Sequence, residues 1–170
     1  MHEIEYEVRG FLTVRNDSLR VPLSGSLTVR LDPDSGRFDG DLVLHPATTV
    51  RKLFGVSLVS STVDISPAGP VSGRMDDDGR MFATVTVDAI IAAANVGGLT
   101  LINGDTCRTA THAVVPMQSK PGFDLDQGGR LAGRYHRPPF TGCGRLTPLV
   151  NLLISGPGNA AVIDLIPVAS

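Results

Sequence analysis

The chain has 170 residues, 15 basic and 17 acidic, for a formal net charge of −2. That length suits one domain with enough interior to fold without a covalent staple, and the balanced charge offers no cationic field for phosphate backbones. With Phe 6, Tyr 2 and no Trp, the chain is also poor in the aromatic faces on which sugars and single-stranded nucleic acids stack, so nucleic acid is excluded as an expected partner.

The N-terminus, Met1-His2-Glu3-Ile4-Glu5, is acidic and lacks the basic segment and apolar run of a secretory signal, so either the protein stays in the cytosol or a leader has been removed. A strand is predicted over Ile4–Val14. Alternation is clearest from Leu23 to Leu31: Leu23, Gly25, Leu27, Val29 and Leu31 face one way while Ser24, Ser26, Thr28 and Arg30 face the other. After the turn Asp32-Pro33-Asp34-Ser35-Gly36, Phe38, Gly40, Leu42 and Leu44 continue the inward set, with Asp39 and Asp41 outside. These two strands make a hairpin.

The hairpin signal recurs. Gly36-Arg37, Gly79-Arg80 and Gly129-Arg130 each open a strand and each follow an Asp-x-Asp pair, at Asp32/Asp34, Asp76/Asp78 and Asp124/Asp126. Further strands are predicted near Val56–Ile65, Val71–Met75, Arg80–Ala92, Leu99–Ile102, Thr109–Met117, Arg130–His136 and Ala160–Val168. Glycine and proline turns separate them, among them Ser66-Pro67-Ala68-Gly69-Pro70, Gly97-Gly98 and Lys120-Pro121-Gly122. The longest apolar tract, Ala89 to Ile102, is broken by Asn95, Gly97, Gly98 and Thr100 and is shorter than the roughly 20 residues of a membrane helix. No transmembrane segment is expected.

One segment has a helical pattern. Thr147 reads as a cap before Pro148, and Leu149, Leu152 and Leu153 share a face before Ser155-Gly156-Pro157-Gly158 ends the run. The expected fold class is therefore all-β: an antiparallel barrel or two-sheet sandwich of about nine or ten strands, with one short helix near 148–154. Residues 1–170 are expected to form a single β domain, and the barrel is the first choice.

Catalytic signatures are absent from the sequence: it has no Gly-x-Ser-x-Gly elbow, no His-Glu-x-x-His, no phosphate loop and no dinucleotide glycine pattern. No catalytic residue and no cofactor is nominated. The aspartate pairs supply oxygen ligands, and Asp76-Asp77-Asp78-Gly79 has the start of a calcium loop, but no bidentate Glu closes it and such tetrapeptides are ordinary hairpin turns. The polar cluster of Arg134, Tyr135, His136 and Arg137, near Arg145, places Arg134 and His136 opposite Leu131 and Tyr135, at the surface or a cavity rim.

Cys107 and Cys143 are the only cysteines, and their flanks place both in loops beside the Thr109–Met117 and Arg130–His136 strands. Three readings are open: one disulfide in an exported protein, two free core cysteines in a cytosolic one, or zinc held with His112 and His136. The zinc set lacks any close ligand pair.

The region around the cysteines carries a resemblance. Cys107-Arg108-Thr109-Ala110-Thr111, Gly128-Gly129-Arg130-Leu131-Ala132-Gly133-Arg134-Tyr135, Pro138-Pro139-Phe140-Thr141-Gly142-Cys143-Gly144 and the run from Thr147 to Gly156-Pro157-Gly158-Asn159 resemble a recurring two-cysteine β-domain of exported actinobacterial proteins of unassigned function. Lys52-Leu53-Phe54-Gly55 and Val71-Ser72-Gly73 are similar to it too, and the likeness covers roughly residues 23–168. It implies export and an oxidised cysteine pair, and it carries no catalytic residues. His112 stands where that domain usually has a small residue or proline.

The leading expectation for function is a non-catalytic exported or cell-envelope domain that binds an apolar molecule such as a lipid inside the barrel or at its mouth. Small inward residues alternate with larger ones and can leave a lumen, which nominates Gly25, Gly40, Leu42, Ala83, Val85, Gly133 and Tyr135 as the ligand-binding set. Glycines that only relieve crowding at barrel bends are the opposing explanation. The alternative function is a structural or adhesive cell-envelope module with a filled core, acting through its surface loops. If the cysteines are free, the expected location is the cytoplasm.

Overall fold

The described residues form thirteen strands. The structure, a computed structural model, describes residues 2–14, 19–53 and 57–168. The strands are β1 (His2–Val14), β2 (Leu19–Leu31), β3 (Arg37–Leu44), β4 (Ala47–Leu53), β5 (Ser57–Pro67), β6 (Val71–Met75) and β7 (Met81–Val96). There follow β8 (Leu99–Asn103), β9 (Arg108–Thr109), β10 (Ala113–Gln118), β11 (Gly129–Arg137), β12 (Phe140–Thr141) and β13 (Gly156–Pro167), with one helix, α1 (Thr147–Ile154), after a single 3₁₀ turn at Gly144–Leu146.

Eight of the strands close into an antiparallel barrel in the order β7-β10-β11-β13-β1-β2-β3-β6, and β6 returns to β7. Barrel, not sandwich, is the outcome because β7 takes β6 on one edge and β10 on the other, which joins the two ends of the strand path. The first half of β7 pairs with β6 through Ser72↔Thr84 and with β10 through Val115↔Val85. At Val87 the strand forks. Beyond it β7 leaves the barrel and pairs with β5 on one edge and with β9 and β8 on the other, while β4 pairs with β5.

The expected phase of β2 and β3 holds. Leu23, Leu27, Val29 and Phe38 are buried, and Arg30 lies outside, where its guanidinium donates to Asp39 Oδ1 at 2.8 Å and Asp41 Oδ2 at 2.9 Å. The repeated aspartates build turns, which is why the repeat exists. Asp32 Oδ1 accepts from Asp34 N at 3.0 Å, Asp76 Oδ1 from Arg80 N at 2.8 Å, and Asp124 Oδ1 from Asp126 N at 2.8 Å. The Ser35 hydroxyl, then the Asp34 amide, hold the Asp32 carboxyl below its ordinary range.

Two strands escaped the pattern. Ala47–Leu53 opens Ala47-Thr48-Thr49, with no apolar–polar alternation in its residue types, and hydroxyl pairs across to β5 steady it: Thr48 with Thr62 at 3.2 Å and Thr49 with Ser61 at 2.8 Å. Phe140–Thr141 is a two-residue pairing with β9, and Ala110–His112 split the predicted Thr109–Met117 strand into β9 and β10. Of the predicted segments, Val56, Phe54 and Gly55 lie outside the described residues. Thr147 is the first residue of α1 and Leu146 its cap; the Thr147 hydroxyl instead accepts from Cys143 N at 3.1 Å and donates to Gly144 O at 2.9 Å. The helix also presents Leu149 and Leu152 to solvent, while Val150 packs on the core.

One end of the barrel is plugged. Tyr6, Val29, Met81 and Leu131 are fully buried there and Phe38 nearly so. The 119–128 connection folds across this end: Ser119 Oγ accepts from Met81 N at 2.9 Å, Phe123 N donates to Gly79 O at 2.8 Å, and the Tyr6 hydroxyl donates to Leu125 O. Burial first, and the charges of Asp126 and Asp124 next, push the Tyr6 hydroxyl up to about 12. No helix among the described residues is long and apolar enough to cross a membrane.

Candidate functional site

The other end of the barrel is not filled. The late part of β1, the early part of β2 and the end of β3 contribute Leu12, Leu23 and Leu44, and β7 adds Val85, Val87 and Ala89. With Ala113, Val115 and Met117 from β10 and Ala161 and Ile163 from β13, they enclose an apolar cavity of about 60 Å³. Three polar residues share the wall: Thr109, Tyr135 and Arg137.

Of the nominated ligand-binding set, Val85 and Tyr135 stand in this wall. Gly25, Gly40, Leu42, Ala83 and Gly133 do not, and the reason is visible at the glycines. A Cβ on Gly25 would lie 1.9 Å from Val43 O, and one on Gly133 would lie 1.9 Å from Pro116 O. Neighbouring backbone occupies the space that the small residues were expected to leave empty, so these glycines permit close strand approach. Gly40, Leu42 and Ala83 lie toward the plugged half, Gly40 paired with Val29 and Leu42 with Leu27.

The cysteines are joined. Cys107 and Cys143 form a disulfide with Cα atoms 4.3 Å apart, which withdraws both sulfurs from any Cys₂His₂ metal set. The bridge ties the segment carrying β12 and α1 to β9, next to the cavity residue Thr109. Asn151 on α1 completes the attachment: its Oδ1 accepts from Phe140 N at 2.6 Å and its Nδ2 donates to Phe140 O at 3.0 Å. Phe140 is buried and pairs with Thr109 across the two-strand ladder.

Arg134 and His136 are exposed, on the face that alternation assigned to them. Arg137 is not part of that surface cluster. It is 7% exposed, and its Nη2 donates to Tyr135 Oη at 2.9 Å. Alternation from Leu131 through Gly133 and Tyr135 carries directly to Arg137, so the signal for an inward cation was present in the sequence.

His112 also has a place. Its Nδ1 lies 2.7 Å from Asp88 Oδ1 in an open groove of about 520 Å³ that Ser66 lines as well. A serine–histidine–aspartate relay needs the serine hydroxyl hydrogen-bonded to the far imidazole nitrogen. Among the described residues no hydrogen bond joins Ser66 to His112, and the His112–Asp88 pair stands as a surface hydrogen-bonded contact. Compared with protein-family models, curated proteins and solved structures, the chain matches none.

Proposed function

We propose that this is a non-catalytic binding barrel, which receives a small apolar group of its ligand at the open end, in an exported or cell-envelope setting. One observation carries the reading: an eight-stranded barrel plugged at one end retains an aliphatic cavity at the other. Eight strands give an interior that side chains can just fill or that can hold one small ligand. At about 60 Å³ the space is well below the ~300–1,000 Å³ of sites that engulf drug-sized molecules. The ligand is therefore a short apolar moiety whose remainder lies outside the mouth, not a whole acyl chain taken into the lumen. The Cys107–Cys143 bridge supports an oxidising compartment, and with it the exported setting.

The test is calorimetric titration with 1-octanol. Saturation at one molecule per chain is expected, and filling the cavity by Ala161→Leu or Ala113→Leu should abolish it while the melting transition stays cooperative. Failure of octanol and of a series of lipids to bind saturably would overturn the reading. A second reading, a module acting through its surface, is favoured by the exposed Val50 on β4 and the exposed Leu99 and Leu101 on β8. It predicts self-association that mutation of Leu99 to Asp removes.

A further inference from the structure

Tyr135 and Arg137 point inward from the last turn of the β11 alternation, and a cation at an inward position is the exception among buried residues. Charges taken out of water are ordinarily paired, because one or two contacts with neutral groups do not replace the lost hydration. Three surface arginines are paired in this way, while the buried Nε of Arg80 has no hydrogen-bond partner among the described residues. Arg9 meets Glu7, Arg30 meets Asp39 and Asp41, and Arg130 meets Asp164. Arg137, more buried than any of these, has no carboxylate partner among the described residues. It keeps one hydrogen bond to the Tyr135 hydroxyl and lies 5.9 Å from the centre of that ring.

The other two polar groups of the cavity wall are left in a matching state. The Tyr135 hydroxyl accepts from Arg137, and the Thr109 hydroxyl accepts from Ala89 N at 3.2 Å. Each has used an acceptor lone pair, and among the described residues neither donates its own proton. A guanidinium has five N–H donors and no acceptor. The polar side of the cavity is thus a set of unspent donors, one of them charged, facing aliphatic walls with no acidic residue among the described ones. Such a set calls for an anionic acceptor.

From this we infer that the ligand of the open end is an amphiphilic carboxylate, its carboxylate bound by Arg137, Tyr135 and Thr109 and its first carbons seated against the aliphatic wall. The inference rests on the apolar-binding reading above and adds the head group to it. A carboxylate is favoured over a phosphate for two reasons. The planar fork of arginine matches the two carboxylate oxygens, and a single cation in a chain of net charge −2 is a weak host for a dianion. The same contact would offset the burial of Arg137: bound carboxylate restores the pairing that the described residues do not provide.

The experiment compares octanoate, 1-octanol, octylammonium and octyl phosphate by calorimetry and by thermal shift, first on the unaltered protein and then on variants. Octanoate should bind at one per chain, about tenfold to a hundredfold more tightly than octanol, as a charge-assisted hydrogen bond predicts, and octylammonium should not bind. Arg137→Met, which keeps the side-chain volume apolar, should bring octanoate down to the affinity of octanol and leave octanol unchanged. Tyr135→Phe should weaken octanoate alone, and covers the case in which the Arg137 variant does not fold. Equal affinity for octanoate and octanol, both blocked by Ala161→Leu, would overturn the anion inference and leave the apolar site standing. Preference for octyl phosphate would also overturn the carboxylate assignment. Absence of binding by all four overturns the parent reading as well.

Discussion

Reducing the Cys107–Cys143 bridge is the perturbation whose size follows most directly from the structure. The bridge closes a 36-residue separation, and the loss of loop-closure entropy from the unfolded chain corresponds to about 4 kcal/mol. In a domain of this size each kcal/mol moves the melting temperature by ~2–4 °C, so reduction should lower it by roughly 8–15 °C. The sheet should survive, because the barrel ladders do not depend on the bridge and the core is large enough to hold without it. What loosens is the attached segment: two ladder pairs to β9, the Ala110 N–Pro139 O hydrogen bond and the packing of Leu146 and Val150 on the core then hold it, with the Asn151 clamp on Phe140 keeping the segment itself together. Scanning calorimetry with and without reductant reads the shift. Hydrogen exchange should show faster exchange at the Phe140 and Cys143 amides, with the β1–β2 and β1–β13 ladders unchanged. Two free thiols per denatured, unreduced chain, or a fall of under about 2 °C on reduction, would refute the reasoning.

Val29→Asp should leave no folded protein by circular dichroism, since ~1.5–3 kcal/mol of lost burial and several kcal/mol of charge desolvation together rival a total stability of about 5–15 kcal/mol. Arg30→Asp, next to it but outside, should be milder and salt-sensitive, because it sets three carboxylates together at Asp39 and Asp41; equal losses at both positions would refute the strand phase. Gly133→Val should cost about 1–3 kcal/mol or more in urea unfolding, since its Cβ meets Pro116 O and must part β10 from β11; a neutral result would show that the close approach is unimportant. Tyr6 sets an alkaline limb. Its hydroxyl rises from 10.0 to about 12 on folding, so the neutral form is favoured by the fold; the stabilisation is complete below pH 10 and is lost as pH rises through 12. Tyr6→Phe should flatten that limb in denaturation midpoints followed across the range, and an unchanged limb would assign it elsewhere.

Alternation and turn chemistry are local, and they determined what is local here. Leu27, Val29 and Phe38 face in and Arg30, Asp39 and Asp41 face out because a pleated strand leaves no other choice, and the aspartate turns return each hairpin as their spacing requires. The cysteine pair was legible as one of a few alternatives. The strand Ala47–Leu53 was not, because its pairing rests on hydroxyls meeting Thr62 and Ser61 across the ladder and not on a pattern of its own. Whether small inward residues leave a lumen was also beyond the sequence. At Gly25 and Gly133 the answer depends on how closely β3 and β10 approach, a consequence of barrel closure, and the approach fills the space with backbone. The inward direction of Arg137 could have been read from Leu131, Gly133 and Tyr135. That no carboxylate among the described residues meets it could not, because its surroundings are assembled from β1, β2, β3, β5, β7, β9, β10 and β13, and only the tertiary fold brings those walls to face one guanidinium.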